Sequence, residues 1–466
     1  METPRTLTEA AEALRTGAAT SVALTERAIA TADRLDGALG TYLARFDEAA
    51  LAAAERADRE LAAGRDRGPL HGVPFGVKDI IAVAEGPTTA QSLVLDPGWG
   101  AGRDAPVTAR LKAAGAVITG KVTTMEFACG MPDFAKPFPV PRNPWDTGTW
   151  AGGSSSGTGS GVAAGMFYAG LGTDTAGSIR IPAAFCGITG LMPTFGRVPK
   201  SGVAPLGYSL DHVGPMARSA RDCAAVLDAI AGAHPSDPDS VDLPYEPPLL
   251  DGSLEGVRIG VVREHHFPDG HDPAVGPAYD TALDVLAAKG AALTEITLPY
   301  WYEMLMANVV TLSSEALAYH RNDLSARWED YGDATRATLA RAAAITGADY
   351  VQAQRVRRVA QDAVERLFDD LDVIVAPTTS AGAPRYDDIV PEEGPIDVGE
   401  VFTHIHTMHW DCVGNPVLAA PMGATAGGLP LSIQFAGPAW GEAAILRAAD
   451  AYQTATDWHL RVPPTP

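Results

Sequence analysis

Basic residues are scarce in this chain of 466 residues, which has 35 Lys and Arg against 57 Asp and Glu and a formal net charge of −22. Proteins that bind nucleic acid or anionic membranes need clustered positive charge to displace counterions. The charge balance therefore argues against nucleic acid and against a membrane surface as partners. It favours a small or neutral substrate.

Cysteine is also rare, since the chain has four cysteines and no CxxC pair. A disulfide framework and a zinc knuckle both need closely spaced cysteines, so neither is expected. The HEXXH motif is absent, and the histidines at 404, 406 and 409 do not have the spacing of metal ligands. We expect no metal and no cofactor.

Long apolar runs are missing as well. No segment approaches the roughly 18 apolar residues that a membrane-spanning helix needs. The first twelve residues are acidic and lack the basic and apolar regions of a signal peptide. From these features we expect a cytoplasmic protein.

Apolar material for a core is nevertheless ample, because 46% of the residues are hydrophobic and 20% are charged, which is typical of globular proteins. The length allows two or three domains, or one large intertwined α/β domain. Residues 5–65 predict two or three surface helices. From residue 69 onward, short β-branched runs alternate with Ala-rich helical segments, which favours βα units and a mostly parallel or mixed sheet.

The middle of the chain contains a predicted helix and a predicted crossing. Residues 219–232 predict a helix with Ser219 as its N-cap and Gly232 as its stop. Residues 234–252 are rich in Pro, Asp and Ser, which predicts a linker or a surface crossing. The α/β pattern resumes at residue 257.

Two Gly-rich clusters that contain serine, at residues 152–157 and 172–178, are the most informative local feature. A serine hydroxyl is a weak nucleophile until a base activates it. Three other interpretations remain: a phosphate-binding loop at 115–122, which has Val122 where a metal-binding hydroxyl is required; a glycine-rich packing helix; and a dispersed Ser-His-Asp triad.

Lys78 ends a β-like apolar run and is followed by Asp79. It is either a strand-end lysine that reaches solvent or pairs with Asp79, or a buried lysine. Burial lowers the pKa of a lysine, and the neutral amine can then act as a base. The residues alone leave both interpretations open.

Three segments together resemble the amidase signature hydrolases: residues 72–79 (GVPFGVKD), 152–155 (GGSS) and 172–182 (GTDTAGSIRIP). The resemblance continues through residue 199 and is weaker at 109–127, 372–377 and 415–437. It implies one large α/β domain over residues 1–466, with a mixed, twisted sheet flanked by helices. Within it we expect N-terminal helices at 1–65, a catalytic core at 65–215, the surface crossing at 234–252, and the remaining α/β and substrate-channel elements at 253–466.

The resemblance also implies a Ser/cis-Ser/Lys triad. Ser178 would attack the substrate carbonyl, Ser154 would relay the proton, and neutral Lys78 would be the final base. The other implied site residues are the oxyanion-hole backbone N–H groups of Thr175, Ala176, Gly177 and Ser178, and the supporting residues Ser155, Asp174 and Arg180. Ala176 and Ser156 stand where the family commonly has glycine, and the methyl group of Ala176 could crowd the oxyanion loop. Cys186 also matches the family, but a buried small side chain explains it better.

The substrate channel is expected to involve residues 125–134, 302–319, 378–384 and 402–410. The predicted pocket residues are Met131, Phe134 and Trp410.

The function implied by the resemblance is hydrolysis of a carbonyl C–N bond through an acyl-enzyme on Ser178. Family members act on amides, anilides, carbamates and urea-type groups, and an esterase side activity is expected. A small-molecule amide would be the partner of a monomer or homodimer. The alternative is the glutaminase-type subunit of a tRNA-dependent amidotransferase complex. A catalytically silent binding protein would be expected to have lost a member of the triad, and all three are present.

Overall fold

An eleven-stranded sheet lies at the centre of the computed structural model, which describes residues 4–390 and 398–464. Its strand order is β1-β3-β2-β6-β8-β7-β12-β13-β11-β9-β10, and a separate two-stranded sheet pairs β4 with β5. The strands are β1 (Tyr42–Arg45), β2 (Pro74–Lys78), β3 (Val117–Val122), β4 (Arg142–Asn143), β5 (Asp146–Trp150), β6 (Ala169–Asp174), β7 (Thr189–Met192), β8 (His212–Ala217), β9 (Arg258–Val262), β10 (Ala292–Ile296), β11 (Val373–Pro377), β12 (Val417–Ala424) and β13 (Pro430–Ala436).

Helices cover the sheet. They are α1 (Leu7–Arg15), α2 (Ser21–Leu39), α3 (Asp47–Ala62), α4 (Pro106–Ala113), α5 (Ser156–Ala164), α6 (Arg180–Cys186), α7 (Ala220–Ile230), α8 (Val275–Ala288), α9 (Trp301–Ala326), α10 (Asp333–Ala342), α11 (Gly347–Glu365), α12 (Tyr386–Ile389), α13 (Val398–Phe402), α14 (Met408–Val413) and α15 (Glu442–Gln453). Short 3₁₀ turns occur at Glu126–Ala128, Trp328–Asp330, Arg366–Asp369 and Trp458–Leu460.

The sheet is mixed. Strands β3, β2 and β6 are parallel neighbours, as are β11, β9 and β10, and the strands between these two groups pair in antiparallel fashion. Strands from both halves of the chain therefore share one sheet, with β12 paired to β7. This confirms the predicted single α/β domain with a mixed sheet flanked by helices. The finer division into segments stays a prediction.

The N-terminal region contains a strand as well as the predicted helices. Helices α1 to α3 cover most of it, but β1 lies between α2 and α3 and pairs antiparallel with β3. A strand of four residues is too short to give a recognisable alternation, which is why the sequence predicted helices alone. The helix predicted at 219–232 is α7, and the Ser219 side chain accepts a hydrogen bond from the Asp222 N–H as its N-cap.

The parallel pair β2 and β6 positions the site. The two strands pair in parallel, with Val77 in register with Leu171, and they therefore end at the same edge of the sheet. Gly170 is required in β6, because a Cβ there would lie 2.7 Å from the Gly76 carbonyl oxygen. The close approach of these strands brings Lys78 and the loop after Asp174 together.

Within residues 4–390 and 398–464, no helix combines the length and the apolar character needed to cross a membrane.

Candidate active site

Lys78 is the last residue of β2 and is completely buried. Its Nζ lies 2.7 Å from Ser154 Oγ and 2.7 Å from Thr173 Oγ1, so hydroxyl groups are its hydrogen-bond partners. Burial lowers the pKa of Lys78 to about 7, and the charges of Asp174 and Asp211 oppose this effect only in part. A substantial fraction of the lysine is therefore the neutral amine at neutral pH, as a general base requires.

Ser154 lies in the turn between β5 and α5 and is 3% exposed. The peptide bond between Gly153 and Ser154 is cis, as the resemblance implied. The next residue, Ser155, hydrogen bonds to the segment that contains Ser178: its N–H donates to the Ser178 carbonyl at 3.2 Å, and its Oγ donates to the Thr173 carbonyl at 3.2 Å. The first serine cluster is thus tied directly to the second.

Ser178 lies in the loop between β6 and α6 and is 8% exposed. The Asp174 carboxylate holds this loop, because it accepts hydrogen bonds from the N–H of Gly177 at 2.5 Å and from the N–H of Ile179 at 3.2 Å. Arg180 Nε donates to the same carboxylate at 2.9 Å. Burial alone would raise the pKa of Asp174, but Arg180 holds it at about 2, so the carboxylate is charged.

Arg180 also connects this loop to helix α14. Its guanidinium donates to Asp411 Oδ2 at 2.5 Å and to the Thr407 carbonyl at 2.9 Å. Burial and the nearby charge of Asp174 raise the pKa of Asp411 well above its usual range, and the charge of Arg180 opposes this effect. Sequence reasoning found Asp174 and Arg180 but missed Asp411, which lies 231 residues beyond Arg180 in the chain.

The expected oxyanion hole stays a prediction. The N–H of Gly177, one of the four predicted donors, donates to the Asp174 carboxylate in this structure. Thr175 lies on the wall of a neighbouring cavity, which it shares with Thr173 and Asp211. Ala176 and Ser178 line the cavity into which Ser154 and Ser178 open, which favours their N–H groups among the predicted oxyanion donors.

The concern about Ala176 is answered by the geometry of its neighbour. The backbone of Ala176 lies outside the left-handed region, whereas Gly177 has φ +119°. A Cβ at Gly177 would collide with the Thr407 side chain, which donates to the Ala176 carbonyl at 2.7 Å. The loop therefore needs glycine at 177 and tolerates alanine at 176.

Ser154 and Ser178 open into a cavity of about 150 Å³. Met131 lies on its wall, as predicted. Three of the four predicted channel segments contribute to the wall. The wall residues are Met125 and Ala128–Met131 from the first segment, Asn308, Val309, Leu312 and Ser313 from the second, and Phe402 and Met408 from the last. Residues 378–384 do not line it and instead border a separate cavity beside Phe185.

Two predicted pocket residues lie elsewhere. Phe134 is 49% exposed and packs edge-on against Tyr386 with ring centroids 5.4 Å apart, outside the cavity wall. Trp410 is 2% exposed and belongs to a core cluster with Met192 and Val417. Sequence reasoning missed Trp150, a buried residue at the end of β5 that does line the cavity. Aromatic character alone does not distinguish a core ring from a cavity ring.

Asp79 is not a partner of Lys78. Asp79 is the first residue of the turn after β2, and its Oδ1 lies 2.8 Å from Lys121 Nζ in a buried ion pair. Lys121, which suggested a phosphate-binding loop, lies in β3 and also donates to Thr88. Cys186 is buried, and its Sγ donates to the Ala151 carbonyl.

No group of three or more His, Cys, Asp or Glu side chains in the described ranges has an arrangement that would hold a metal ion. His406 and His409 are buried beside His266 and Trp301, where they form a packed aromatic cluster. Burial lowers the pKa of His406 and His409 well below the usual range. These histidines are neutral core residues at physiological pH.

Comparisons with known proteins identify the same family that the three sequence motifs resemble. The Amidase family matches residues 23–446. The chain is 40% identical to a glutamyl-tRNA(Gln) amidotransferase subunit from Roseiflexus sp. (strain RS-1) over 487 aligned positions, which cover 99% of this chain and 98% of the relative.

Solved structures agree with this result. One belongs to a vestigial protein complex that reveals the origins of an s-triazine catabolic enzyme; it has a TM-score of 0.89 and 34% identity, and covers 97% of this chain and 98% of its own. Another is a peptide amidase in complex with the competitive inhibitor chymostatin, with a TM-score of 0.84, 31% identity, and coverage of 99% and 98%.

These comparisons overturn one expectation. A monomer or homodimer with only a small-molecule partner was predicted, partly because the acidic charge favoured small partners. The relative from Roseiflexus is named as one subunit of a glutamyl-tRNA(Gln) amidotransferase, and the first of the two structures belongs to a protein complex. That expectation is wrong, because net charge describes the whole surface and does not exclude a local protein interface.

Proposed function

This chain belongs to the Amidase family, and from that membership we propose that it is the amide-hydrolysing subunit of a larger protein assembly. Ser178 is the proposed nucleophile, Ser154 the relay and Lys78 the base. The observation that carries the proposal is the hydrogen bond of 2.7 Å between Lys78 Nζ and Ser154 Oγ. Lys78 is buried, and no carboxylate of the described residues lies within hydrogen-bonding distance of its amine.

The reaction would proceed in two halves. Ser178 Oγ attacks the carbonyl carbon, its proton passes to Ser154, and Ser154 passes its own proton to the neutral Lys78 amine. The N–H groups of Ala176 and Ser178 stabilise the negative oxygen that develops, and such a donor is typically worth about 10²–10³ in rate. The relay then protonates the leaving nitrogen, and water releases the acyl group from Ser178 by the same route.

Labelling of the intact protein with a fluorophosphonate tests this assignment. We expect one adduct on Ser178, and we expect Ser178→Ala to abolish both labelling and amide hydrolysis. Ser160→Ala is a matched control, because Ser160 is a buried serine of the same Gly-rich segment that donates to the Arg142 carbonyl and lies outside the cavity wall. Normal hydrolysis by Ser178→Ala would refute the mechanism.

The first candidate for the assembly is a tRNA-dependent amidotransferase, in which this chain would release ammonia from an amide donor such as glutamine. Relatives that are named as glutamyl-tRNA(Gln) amidotransferase subunits match the chain over almost its whole length at 35–40% identity, and this similarity favours the candidate. Copurification of partner subunits with glutamine-dependent amidation of glutamyl-tRNA(Gln) would support it. Assembly with partners that show no such amidation would refute it.

The second candidate is hydrolysis of a different amide within an assembly, including anilide, carbamate or urea-type groups. The cavity beside Ser178 favours it, because its described wall is mostly apolar. Similarity to the s-triazine-related complex and to the peptide amidase supports the same candidate. An esterase side activity and a cytoplasmic location stay predictions in both cases.

A further inference from the structure

We infer that the acyl group that Ser178 accepts is small and uncharged, and that a free zwitterionic amino acid such as glutamine is a poor substrate; the inference therefore favours the second candidate function over the glutamine-dependent first one. The observation is the cavity beside Ser178, whose described wall has no charged side chain. The inference rests on the proposed function, since it takes Ser178 as the nucleophile. It goes further because it names the chemical class of the acyl group.

The wall of the cavity is mostly hydrophobic. Its large hydrophobic side chains are Met125, Met131, Trp150, Leu206, Leu312, Phe402 and Met408. No Asp, Glu, Lys, Arg or His of residues 4–390 and 398–464 lines it. The polar groups other than the catalytic serines are neutral, and the amide of Asn308 already donates to the Thr175 carbonyl at 3.3 Å.

An amino-acid substrate would bring an ammonium group and a carboxylate into this cavity. Transfer of an ion from water to an apolar site costs several kcal/mol when no opposite charge receives it. Neutral hydroxyl and amide groups can hydrogen bond to these ions but do not balance their charge. A neutral acyl group avoids this cost and gains from contact with the apolar wall.

Two charged side chains that follow wall residues closely in the sequence, Glu126 after Met125 and Arg180 after Ser178, are already engaged by the protein. Glu126 accepts hydrogen bonds from Ser92 Oγ at 2.6 Å and from the Gly332 N–H at 2.7 Å. Arg180 is held between Asp174 and Asp411. A rotation of either side chain into the cavity would leave buried partners unsatisfied. The absence of charge from the described wall is therefore a property of the packing.

The size of the cavity limits the acyl group further. A cavity of about 150 Å³ matches the engineered apolar cavity that accepts benzene, a molecule of roughly six non-hydrogen atoms. Methionine side chains are flexible and can adjust to several small shapes. Aliphatic amides of about four carbons and benzamide fit this description.

A series of three amides tests the inference on the full-length protein together with any partners that copurify. Butanamide is glutamine without its ammonium and carboxylate groups, and benzamide adds a planar ring. We expect kcat/KM for ammonia release to be at least 100-fold higher for butanamide and benzamide than for L-glutamine. Equal or higher kcat/KM for glutamine would overturn the inference.

Protection of Ser178 against the fluorophosphonate keeps the test decisive when turnover is slow. Butanamide and benzamide should slow labelling at lower concentrations than glutamine, and protection by neither would also overturn the inference. If Ser178 is not labelled and Ser178→Ala hydrolyses amides normally, the proposed function itself fails. If Ser178 is labelled but glutamine is preferred, only the present inference fails.

A charge introduced into the wall gives an independent test. Leu312→Arg should lower kcat/KM for butanamide and raise it for 4-carbamoylbutanoate, which carries a carboxylate. The ratio of kcat/KM for butanamide to kcat/KM for 4-carbamoylbutanoate should therefore fall by tenfold or more. Leu312→Met conserves volume and should keep the order of the wild type. Fluorophosphonate labelling of both variants shows that their nucleophile is intact. An unchanged preference in labelled Leu312→Arg would count against the inference.

Discussion

Lys78 and Lys121 are both completely buried and lie on the neighbouring parallel strands β2 and β3, yet their surroundings differ in one respect. Lys121 faces the Asp79 carboxylate at 2.8 Å, whereas Lys78 faces the hydroxyl groups of Ser154 and Thr173 at 2.7 Å. Lys121 is in register with Val77 and Lys78 with Val122, so the two amines lie on opposite faces of the sheet.

This difference separates a structural lysine from a proposed base. A carboxylate partner keeps a buried amine protonated, and burial without one favours the neutral form. Burial lowers the pKa of Lys121 as well, but the charge of Asp79 opposes that effect. The nearest hydrogen-bond partner, and not the depth of burial, therefore distinguishes the lysine that is proposed as a base from the lysine that is held in an ion pair.

The largest expected effect is the loss of activity in Lys78→Met. Removal of a general base typically costs about 10²–10⁴ in rate, so we expect kcat for amide hydrolysis to fall by that factor. The variant should remain folded by circular dichroism. A rate within threefold of the wild type would show that Lys78 is not the base.

The same variant should be more stable than the wild type near pH 7. The pKa of Lys78 is about 7 in the folded protein and 10.5 in an ordinary lysine, so the unfolded chain binds more protons between these values. Stability consequently rises with pH across this window and is lower near pH 7. Lys78→Met should show a smaller slope of unfolding free energy against pH from 7 to 10.

The second expected effect is a loss of stability in Lys121→Met. Asp79 would then be buried without its cation, and breaking a buried pair in this way costs about 3–5 kcal/mol. We expect a clearly lower denaturation midpoint, while the pH dependence of kcat/KM in the folded protein stays that of the wild type. A shift of that pH profile with no loss of stability would contradict the assignment of Lys121 as structural.

The third prediction gives Lys78 a carboxylate partner. In the wild type, kcat/KM should rise with pH through about 7, because deprotonation of Lys78 creates the base. In Thr173→Asp the new charge beside Nζ should raise the pKa by about 1–3 units, so activity at pH 7 falls about tenfold or more and recovers at higher pH. Thr173→Asn is the matched neutral control, whose pH profile should not move upward.

The smallest expected effect belongs to the double variant Lys121→Met with Asp79→Leu. Replacement of a buried ion pair by apolar side chains of similar size is often neutral or stabilising. Asp79 also accepts hydrogen bonds from the N–H and hydroxyl of Thr89, and their loss should leave the variant about 1–2 kcal/mol below the wild type. A double variant as unstable as Lys121→Met alone would show that the ion pair is not the stabilising contact.

Local motifs were enough to propose Lys78, Ser154 and Ser178 as catalytic residues, since each lies in a short segment with its own signature, and their catalytic roles stay a prediction. Their spatial arrangement also followed, because parallel strands such as β2 and β6 end at the same sheet edge. Strand β12 was not predicted, because its eight residues are almost entirely buried and show no alternation.

Partners distant in the sequence were not predictable in the same way. Asp411 and Asn308 reach the site through the fold and have no motif of their own. The interpretation that paired Lys78 with Asp79 failed because Asp79, in the turn after β2, pairs with Lys121 of the neighbouring strand instead. The prediction that Phe134 and Trp410 line the pocket failed because the sequence does not show which aromatic ring borders a cavity.

The contact between Arg180 and Asp411 has a consequence for the timing of protein synthesis. The two residues are 231 positions apart. Strand β12, which is one of the two neighbours of β7 in the sheet, is likewise synthesised long after β7. At about 5–20 residues per second, the ribosome takes roughly 10–50 seconds to reach Asp411 after Arg180. During that interval Arg180, in the segment after Ser178, lacks its contact with Asp411 of α14, and one edge of β7 is unpaired. A nascent chain therefore contains every member of the triad long before it can hold them in a reactive arrangement.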